Sequence, residues 1–297
     1  MTIQISKKDK NTVVKNKPIN TVSQCRMPVF APIYFAQKCR HLKKTREEKI
    51  ITPWGTLKIK GELTQLHRDI LDWIFAKAQR HEKYKSAFLF SPRQMAKDLG
   101  IYVKDGRYCK FFKEKFEDMR IARVTIETDQ MVVYCGLIRE HGYSKHKLND
   151  AALSGKKVFN DKLYYVLFEP KYMTFINNDI AMCYLPLVDD ILQIKSPVVK
   201  AFVRFVISHK DLKMSLNKIM EAIGIVGISK RKYVEKKKEI LSQKELLYQK
   251  FGITIDEEEI VSYTQKTPDV YFSVPELPDG KTIEIIQPEN TKNNNSK

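Results

Sequence analysis

The sequence has no uninterrupted apolar stretch long enough to cross a membrane. Its most apolar run, residues 198–207, contains Lys200 and Arg204, whereas a spanning helix needs about 20 predominantly apolar residues. The N-terminal residues are polar and basic and lack the apolar segment of a secretory signal. These absences predict a protein that stays in the cytoplasm and has no membrane partner.

Cysteine pairs and metal-binding histidine motifs are also missing. The five cysteines are scattered, with no C-x-x-C pair and no histidine nearby at zinc-site spacing. A dispersed set of this kind is typical of reduced, structural thiols. No H-E-x-x-H occurs, and no two of the six histidines lie two residues apart, as strand-nicking proteins of the paired-histidine type require. We therefore expect no metal site.

A phosphate-binding loop is absent as well. The run Gly280-Lys281-Thr282 has Pro275 where a P-loop needs its first glycine. The adjacent acids Asp189 and Asp190 are more typical of a helix cap or a surface than of a metal site. We therefore expect no cofactor and a binding protein rather than an enzyme. A DNA-nicking enzyme with an unfamiliar site is the alternative from another class.

Basic residues are in large excess over acidic ones. The chain has 53 Lys and Arg against 35 Asp and Glu, a net charge of +18, which favours a polyanionic partner and first of all nucleic acid. Its 297 residues, 43% of them hydrophobic, are enough for two ordinary domains.

Residues 88–138 have the order of elements of a winged helix-turn-helix. A serine-proline pair at Ser91 begins a short helix that ends at Gly100. A second helix is predicted over residues 107–121, followed by a two-stranded wing over residues 123–138. That order places the second helix against a DNA groove. Its predicted DNA-binding residues are Arg107, Lys110 and Lys113.

The flanking segments complete this domain. Residues 50–64 predict a short hairpin, residues 63–81 an amphipathic helix, and residues 162–169 a further strand of the sheet. Residues 139–157 are polar and aperiodic, which predicts a loop at the edge of the wing.

The pattern then recurs. Ser196 and Pro197 begin a helix, and the short strand LKMSL leads into a second copy of the first motif. At a constant offset, Ser91, Met95, Leu99, Gly100 and Ile101 match Ser215, Ile219, Ile223, Gly224 and Ile225. The chain is therefore predicted to be a tandem repeat of one supersecondary unit.

Ser229 is predicted to cap a long basic helix in the second copy, over residues 230–250. Its cations are too dense for a merely soluble surface, although glutamates balance part of the charge. We predict it to be the stronger DNA-contacting helix, through Lys230, Arg231, Lys232, Lys236 and Lys237. A second wing follows, whose acidic tip at residues 256–259 would repel phosphate.

These elements predict an α+β fold with two tandem winged helix-turn-helix domains. The predicted boundaries are a disordered basic tail at 1–26, a first domain at 27–169, a second domain at 170–267 and a disordered polar tail at 268–297.

This combination resembles the plasmid replication initiators of the iteron-binding Rep group, including the TrfA-like branch. The resemblance covers roughly residues 63–264 and is carried by LTQLHRDILDWIF, SPRQMAKDLG, RYCKFFKEKFEDM, LFEP, SPVVKAFVRFVISH and SKRKYVEKKKEIL.

The resemblance implies a cytoplasmic initiator that binds directly repeated sites in double-stranded DNA at a plasmid origin. Such proteins help to open the duplex and recruit the host replication initiator and the replicative helicase. Members commonly interconvert between a homodimer, often an autorepressor, and an origin-active monomer. By position, residues after Ser229 would read one major groove, and residues 107–113 the adjacent one. The N-terminal lead-in and the acidic second wing depart from the family pattern, which leaves dimerisation and wing contacts open.

The alternative function that uses the same mode of DNA binding is a winged-helix transcriptional regulator of a plasmid or phage origin. Such a protein would bind an operator and recruit no helicase.

Overall fold

The computed structural model describes two long regions of the chain and several short pieces outside them. The described residues are 20–21, 30–32, 46–52, 55–80, 87–127, 132–144, 163–170, 172, 181–183, 185–265 and 271–273. Within them, eight α-helices combine with four small antiparallel sheets, which confirms a mixed α and β protein. No helix of these ranges is long and apolar enough to span a bilayer. We call residues 46–170 the first unit and residues 185–265 the second unit.

The described residues of the first unit form three helices and seven strands. Its helices are α1 (Gln65–Arg80), α2 (Pro92–Asp98) and α3 (Tyr108–Ile121). Its strands are β2 (Arg46–Thr52), β3 (Gly55–Gly61), β4 (Ala87–Phe90), β5 (Arg123–Glu127), β6 (Val132–Cys135), β7 (Ile138–Tyr143) and β8 (Tyr164–Phe168). They form two sheets, in the orders β2-β3-β5-β6 and β4-β8-β7.

Helix α2 begins and ends as its sequence predicts. The Ser91 hydroxyl accepts a hydrogen bond from the backbone N–H of Gln94 at 3.2 Å, and Pro92 occupies the first helical position. At the other end Gly100 has a φ of 64°, and the next amide, of Ile101, donates to the carbonyl of Ala96 at 2.8 Å. Glycine adopts this left-handed backbone without steric cost.

Aromatic packing sets the position of α3. Phe112 and Phe116 are fully buried on one face of the helix. The ring centroid of Phe116 lies 5.9 Å from that of Phe90 on β4 and 5.1 Å from that of Tyr164 on β8. These contacts hold α3 against the sheet β4-β8-β7 and leave its opposite face toward solvent.

The predicted return strand of the first wing is two strands in the structure. Strand β6 pairs with β5, but the chain then turns at Gly136 and continues as β7, which pairs with β8. The amide of Leu137 donates to the carbonyl of Met119 at 3.3 Å, so the end of α3 holds this turn. The loop predicted from residue 139 is therefore wrong as far as Tyr143, because backbone pairing with a distant strand orders it. The rest of that predicted loop lies mostly outside the described residues.

The other sheet predictions of the first unit are confirmed. Strand β8, predicted at residues 162–169, lies in the middle of the sheet β4-β8-β7. The predicted hairpin is present as β2 and β3, although it begins earlier, at Arg46. Strand β3 also pairs with β5, so the wing hairpin is part of a four-stranded sheet.

The second unit has the order helix, strand, three helices and hairpin after an additional first helix. Its helices are α4 (Leu185–Gln193), α5 (Pro197–Ile207), α6 (Leu216–Ala222), α7 (Lys230–Leu241) and α8 (Lys244–Phe251). Its strands are β10 (Asp211–Ser215), β11 (Thr254–Ile255) and β12 (Ile260–Thr264). The sheet order is β10-β12-β11, so the hairpin pairs with the strand that precedes α6.

The internal repeat is visible in the backbone hydrogen bonds. In the first unit, Gly100 N–H donates to Lys97 and Ile101 N–H to Ala96. In the second unit, at equivalent positions, Gly224 N–H donates to Glu221 and Ile225 N–H donates to Met220. Gly224 also has a positive φ, 87°. The two copies therefore end their short helices in the same way.

The long basic helix of the second unit is interrupted. Helix α7 ends with Ser242 at its C-cap, where the hydroxyl donates to the carbonyl of Glu239 at 2.9 Å, and α8 starts two residues later. Ser229 is the N-cap residue in extended conformation, but its side chain makes no capping hydrogen bond. Both segments bury an anchor, Ile240 and Leu247, and the break lets both reach the same core.

Short strands lie inside both predicted tails. Strand β9 (Ala181–Cys183) pairs on one side with β1 (Asn20–Thr21) and on the other with β13 (Tyr271–Ser273). The tails predicted at 1–26 and 268–297 are therefore ordered at these points, because antiparallel pairing satisfies their backbone groups. The remaining residues of both tails lie outside the described ranges.

Candidate nucleic-acid interface

Helix α7 presents one side to the core and the other to solvent. Ile240 is fully buried, and Tyr233 packs against the core two turns earlier. Arg231, Val234 and Lys238 are exposed. Their spacing of three, four and seven residues places them on one face of the helix, away from Ile240.

The exposed face of α7 is basic. Lys230 and Lys238 are exposed and have no ion-pair partner among the described residues. The Arg231 side chain is 91% exposed, and its Nε lies 3.2 Å from the Glu235 Oε1. Exposed pairs of this kind contribute little free energy, so the guanidinium can exchange this partner for a phosphate or a base.

Two of the predicted DNA-binding lysines are placed differently. Lys236 and Lys237 are only partly exposed, and each ammonium forms an ion pair, Lys236 with Glu239 and Lys237 with Glu259. Glu259 lies at the tip of the second hairpin with a φ of 61°. The sequence predicts that the acidic tip at residues 256–259 repels phosphate. One of its acids, Glu259, instead points back to α7, where it neutralises the charge of Lys237.

Lys238 is the cation that the predicted site omitted. It is exposed and lies seven residues after Arg231, on the same helical face. The signal was present in the sequence, because the face opposite Tyr233 and Ile240 can be found from helical periodicity alone. The density of charge along the sequence does not distinguish the exposed face of the helix from its sides.

Helix α3 places its predicted cations on the solvent side as well. Lys110 and Lys113 are exposed and have no ion-pair partner within the described ranges. Arg107, also exposed, occupies the N-cap position of the helix. The three predicted residues of the first unit therefore lie at the N-terminal half of α3, which is the part of a recognition helix that usually contacts bases.

The C-terminal half of α3 is held by two histidines from neighbouring elements. His67 on α1 places its Nε2 3.1 Å from the Asp118 Oδ2, and His141 on β7 places its Nε2 3.2 Å from the Glu117 Oε2. Backbone N–H of Thr64 donates to the Nδ1 of His67 at 3.0 Å, so the Nε2 carries the proton toward Asp118. These contacts fix the angle at which α3 leaves the core.

These contacts shift the pKa values of the groups involved. The hydrogen bond from Arg120 lowers the pKa of Glu117 to about 2. Burial opposes this effect, and the hydrogen bond from His141 adds a smaller lowering. Burial would raise the pKa of Asp118, but the hydrogen bonds from His67 and Lys115 outweigh it and lower that pKa. Burial lowers the pKa of His67 below its usual 6.5, although Asp118 opposes this. Both carboxylates are therefore charged at neutral pH.

Helix α7 is attached to α5 by a polar contact. The Ser196 hydroxyl, at the N-cap of α5, donates to the Glu239 Oε2 at 2.7 Å. The same serine oxygen accepts from the Val199 amide at 3.3 Å, as the predicted cap requires. One serine therefore begins α5 and positions α7.

The histidines and acidic residues of the described ranges do not gather into a metal centre. No group of three or more His, Cys, Asp or Glu side chains in the described ranges is placed to hold a metal ion. His141, for example, is engaged by Glu117 and by the Tyr164 hydroxyl, which lies 2.8 Å from its Nδ1.

Comparison with known proteins rests on structure alone. No protein-family model and no curated protein matches the sequence. The structure is similar to a solved structure of a selenomethionine derivative of domains 2 and 3 of RctB, with a TM-score of 0.50 and 9% identity over 86% of this chain and 94% of that chain. A second solved structure of RctB domains 2 and 3 gives a TM-score of 0.40 and 8% identity over 73% and 88%. The chain therefore has a fold similar to that of domains 2 and 3 of RctB.

Proposed function

We propose that the protein is a replication initiator that binds double-stranded origin DNA through two winged-helix units. In this proposal α3 and α7 are the recognition helices, and the hairpins β5-β6 and β11-β12 are the wings. The protein acts by binding DNA rather than by catalysis. Binding to repeated sites, cytoplasmic location and recruitment of the host initiator and helicase belong to the same proposal.

The observation that carries the proposal is the exposed basic face of α7 within a replication-initiator-like fold. RctB is a replication initiator, and the likeness extends over 86% of this chain, including both units. In each unit a short helix and a turn precede a helix whose outer face carries cations, as in helix-turn-helix proteins. The similarity favours the broad class, and neither solved structure points to the TrfA-like branch in particular.

The physics of binding follows from the placement of these cations. Lysine and arginine side chains that neutralise phosphates release counterions, which supplies affinity that falls with salt. Arg231, in the first turn of α7 and on its exposed face, is the side chain best placed to bond a guanine edge, because a guanidinium fits that edge with two hydrogen bonds. The flanking lysines would contact phosphates and fix the register of the helix.

A salt-dependence experiment tests this assignment. The probe is duplex DNA from the region that surrounds the coding sequence, located first by footprinting with the full chain. The triple variant Lys230→Ala/Arg231→Ala/Lys238→Ala should lower the slope of log affinity against log salt by about 2 to 3, since each lost phosphate contact removes about 0.9. Arg231→Ala alone should reduce discrimination between sites by about 1 to 3 kcal/mol.

The matched control is Lys236→Ala/Lys237→Ala, which removes two cations from the same helix. Because both are already paired with glutamates, we expect this variant to change the slope by less than about 1. An unchanged slope in the triple variant would refute the assignment of α7. A footprint over one palindrome instead of repeated sites would favour the regulator, and metal-dependent nicking of supercoiled plasmid would favour the enzyme.

A further inference from the structure

Arg204 lies at the centre of a buried ionic network between the two units. Its side chain is 3% exposed. From α5 its Nη2 reaches the Asp69 Oδ1 at 2.6 Å, its Nε reaches the Asp72 Oδ2 at 3.0 Å, and its Nη1 reaches the Gln65 Oε1 at 2.7 Å. All three acceptors lie on α1. One guanidinium therefore connects three positions of the first unit to the second.

Lys200, one turn earlier on α5, completes the network. Its Nζ lies 2.6 Å from the Asp69 Oδ2 and donates to the carbonyl of Leu192 at 2.9 Å. Arg68 lies beside the remaining oxygen of Asp72, with its Nε at 3.1 Å from the Oδ1. Every oxygen of the two carboxylates therefore has a cationic neighbour. Burial lowers the pKa of Lys200, and Asp69 opposes this effect.

This network restricts geometry more than an apolar contact would. A guanidinium is planar and holds its donors in a fixed fork, so three acceptors are satisfied together in only one arrangement. Sliding or rotating α5 against α1 would leave a buried charge without its partner, which is strongly unfavourable. The junction therefore has one preferred relative position of the two helices.

Both candidate recognition helices are attached to these two central helices. Asp118 of α3 bonds to His67 of α1, and Glu239 of α7 bonds to Ser196 of α5. Hydrogen bonds and ion pairs therefore link α3 to α1, α1 to α5 and α5 to α7, from one recognition helix to the other. Whatever fixes α1 against α5 also fixes α3 relative to α7.

We propose that this buried junction sets the spacing between the two sequence blocks that the protein reads in its DNA site, with Arg204 as the specificity-determining residue. The inference rests on the proposed function. One added base pair moves a block by about 3.4 Å along the duplex and rotates it by about 35°. A rigid pair of recognition helices cannot follow that displacement, whereas a flexibly linked pair can.

The experiment uses the full chain and a library of random duplexes. After repeated selection, the bound duplexes should contain two sequence blocks at one fixed separation. On the best selected site, insertion of one base pair between the blocks should weaken binding by about tenfold or more, the size of losing one bidentate base contact.

The junction itself is tested with Arg204→Lys. A lysine keeps the charge but cannot bond to all three acceptors at once. The orientation of α5 against α1 is therefore fixed less tightly. We expect the one-base-pair insertion to weaken binding of this variant by less than about threefold, well below the loss of a bidentate contact. If Arg204→Lys does not fold, Gln65→Leu, which removes one acceptor of Arg204, is the test variant in its place. Val166→Ala is the control, since Val166 is buried in β8, outside α1, α5 and both proposed wings, and it should keep the wild-type spacing penalty.

The outcomes separate the two proposals. If no duplex is enriched, the proposed function fails and this inference with it. If sites are selected with a single block, or with two blocks at several separations, the protein binds DNA but the spacing inference is overturned. It is equally overturned if Arg204→Lys and Gln65→Leu retain the full penalty for the inserted base pair.

Discussion

Two charged residues of this protein have a role that the residues around them in the sequence do not indicate. In the sequence, Lys200 and Arg204 stand out only because they interrupt an apolar run. In the structure both side chains are at most 3% exposed, and they join helices whose paired residues lie more than 130 positions apart. Buried charges need partners, but a single sequence does not say which carboxylates supply them.

His67 gives a prediction for pH dependence. Because burial lowers its pKa in the folded protein, the unfolded chain binds a proton first as the pH falls below about 6.5. The free energy of unfolding should therefore decrease between pH 6.5 and the lower folded pKa. His67→Gln removes this contribution, so the stability advantage of the wild type should shrink by up to about 1.4 kcal/mol per pH unit.

Urea denaturation of both proteins between pH 5 and 8.5 measures this difference, in a range of about 3.5 pH units chosen around the histidine pKa. Above about pH 7.5 the difference should be constant, because His67 is neutral in both states. A difference that stays constant down to pH 5 would show that His67 does not titrate as its burial requires.

At the scale of elements, helix boundaries were more predictable than strand partners. Ser91, Ser196 and their prolines start α2 and α5 as expected, because a cap involves only residues within one turn. The division of one predicted strand into β6 and β7 depends on the end of α3, and therefore on packing. Alternation of apolar residues alone does not show where a chain changes from one sheet to another.

The change from β6 to β7 depends on the missing side chain of Gly136. A Cβ at this position would lie 2.6 Å from the carbonyl oxygen of Arg120, and this backbone atom cannot move aside easily. We expect Gly136→Ala to lower the free energy of unfolding by about 1 to 3 kcal/mol, the usual cost of overpacking. Chemical denaturation measures this change.

Gly100 provides the comparison, because a Cβ there meets no atom within 4 Å and only its φ of 64° is unfavourable. Gly100→Ala should cost about 1 to 2 kcal/mol, and Gly100→Asn less, since asparagine tolerates the left-handed region. Gly136→Asn should be no better than Gly136→Ala. If asparagine rescued position 136 as it rescues position 100, the steric explanation would be wrong.

For the whole molecule, the buried junction predicts cooperative unfolding of the two units. The core cluster continues from Phe116 in the first unit to Val206 and Ile240 in the second, and α1 packs against α5 through buried ion pairs. Separating the units would break the ion pairs of Lys200 with Asp69 and of Arg204 with Asp69 and Asp72. Heat or urea should therefore unfold both units in a single transition.

Calorimetry and two optical probes test this expectation. The calorimetric and van't Hoff enthalpies should agree, and tryptophan fluorescence should give the same midpoint as far-UV circular dichroism. Arg204→Ala, which leaves Asp69 and Asp72 short of a buried partner, should lower stability by about 3 to 5 kcal/mol and broaden or divide the transition. Two separate transitions in the wild type would contradict a rigid junction.

The sequence by itself determined the features that depend on neighbours along the chain. These are the helices capped by Ser91 and Ser196, the repeated short helix after Ser91 and after Ser215, the basic segment after Ser229 and the α+β class. Each follows from helical periodicity, caps and charge within a few turns. The surface positions of Lys110, Lys113 and Arg231 followed from the same periodicity, although their role in DNA binding stays a prediction.

Only the tertiary structure decided which charges are neutralised by partners distant in the sequence. It paired Lys237 with Glu259 and buried Arg204 against α1. It also paired β1 and β13 with β9 across most of the chain length. The physical reason is the same in each case: an ion pair or a strand ladder is set by proximity in space, which local sequence signals do not contain.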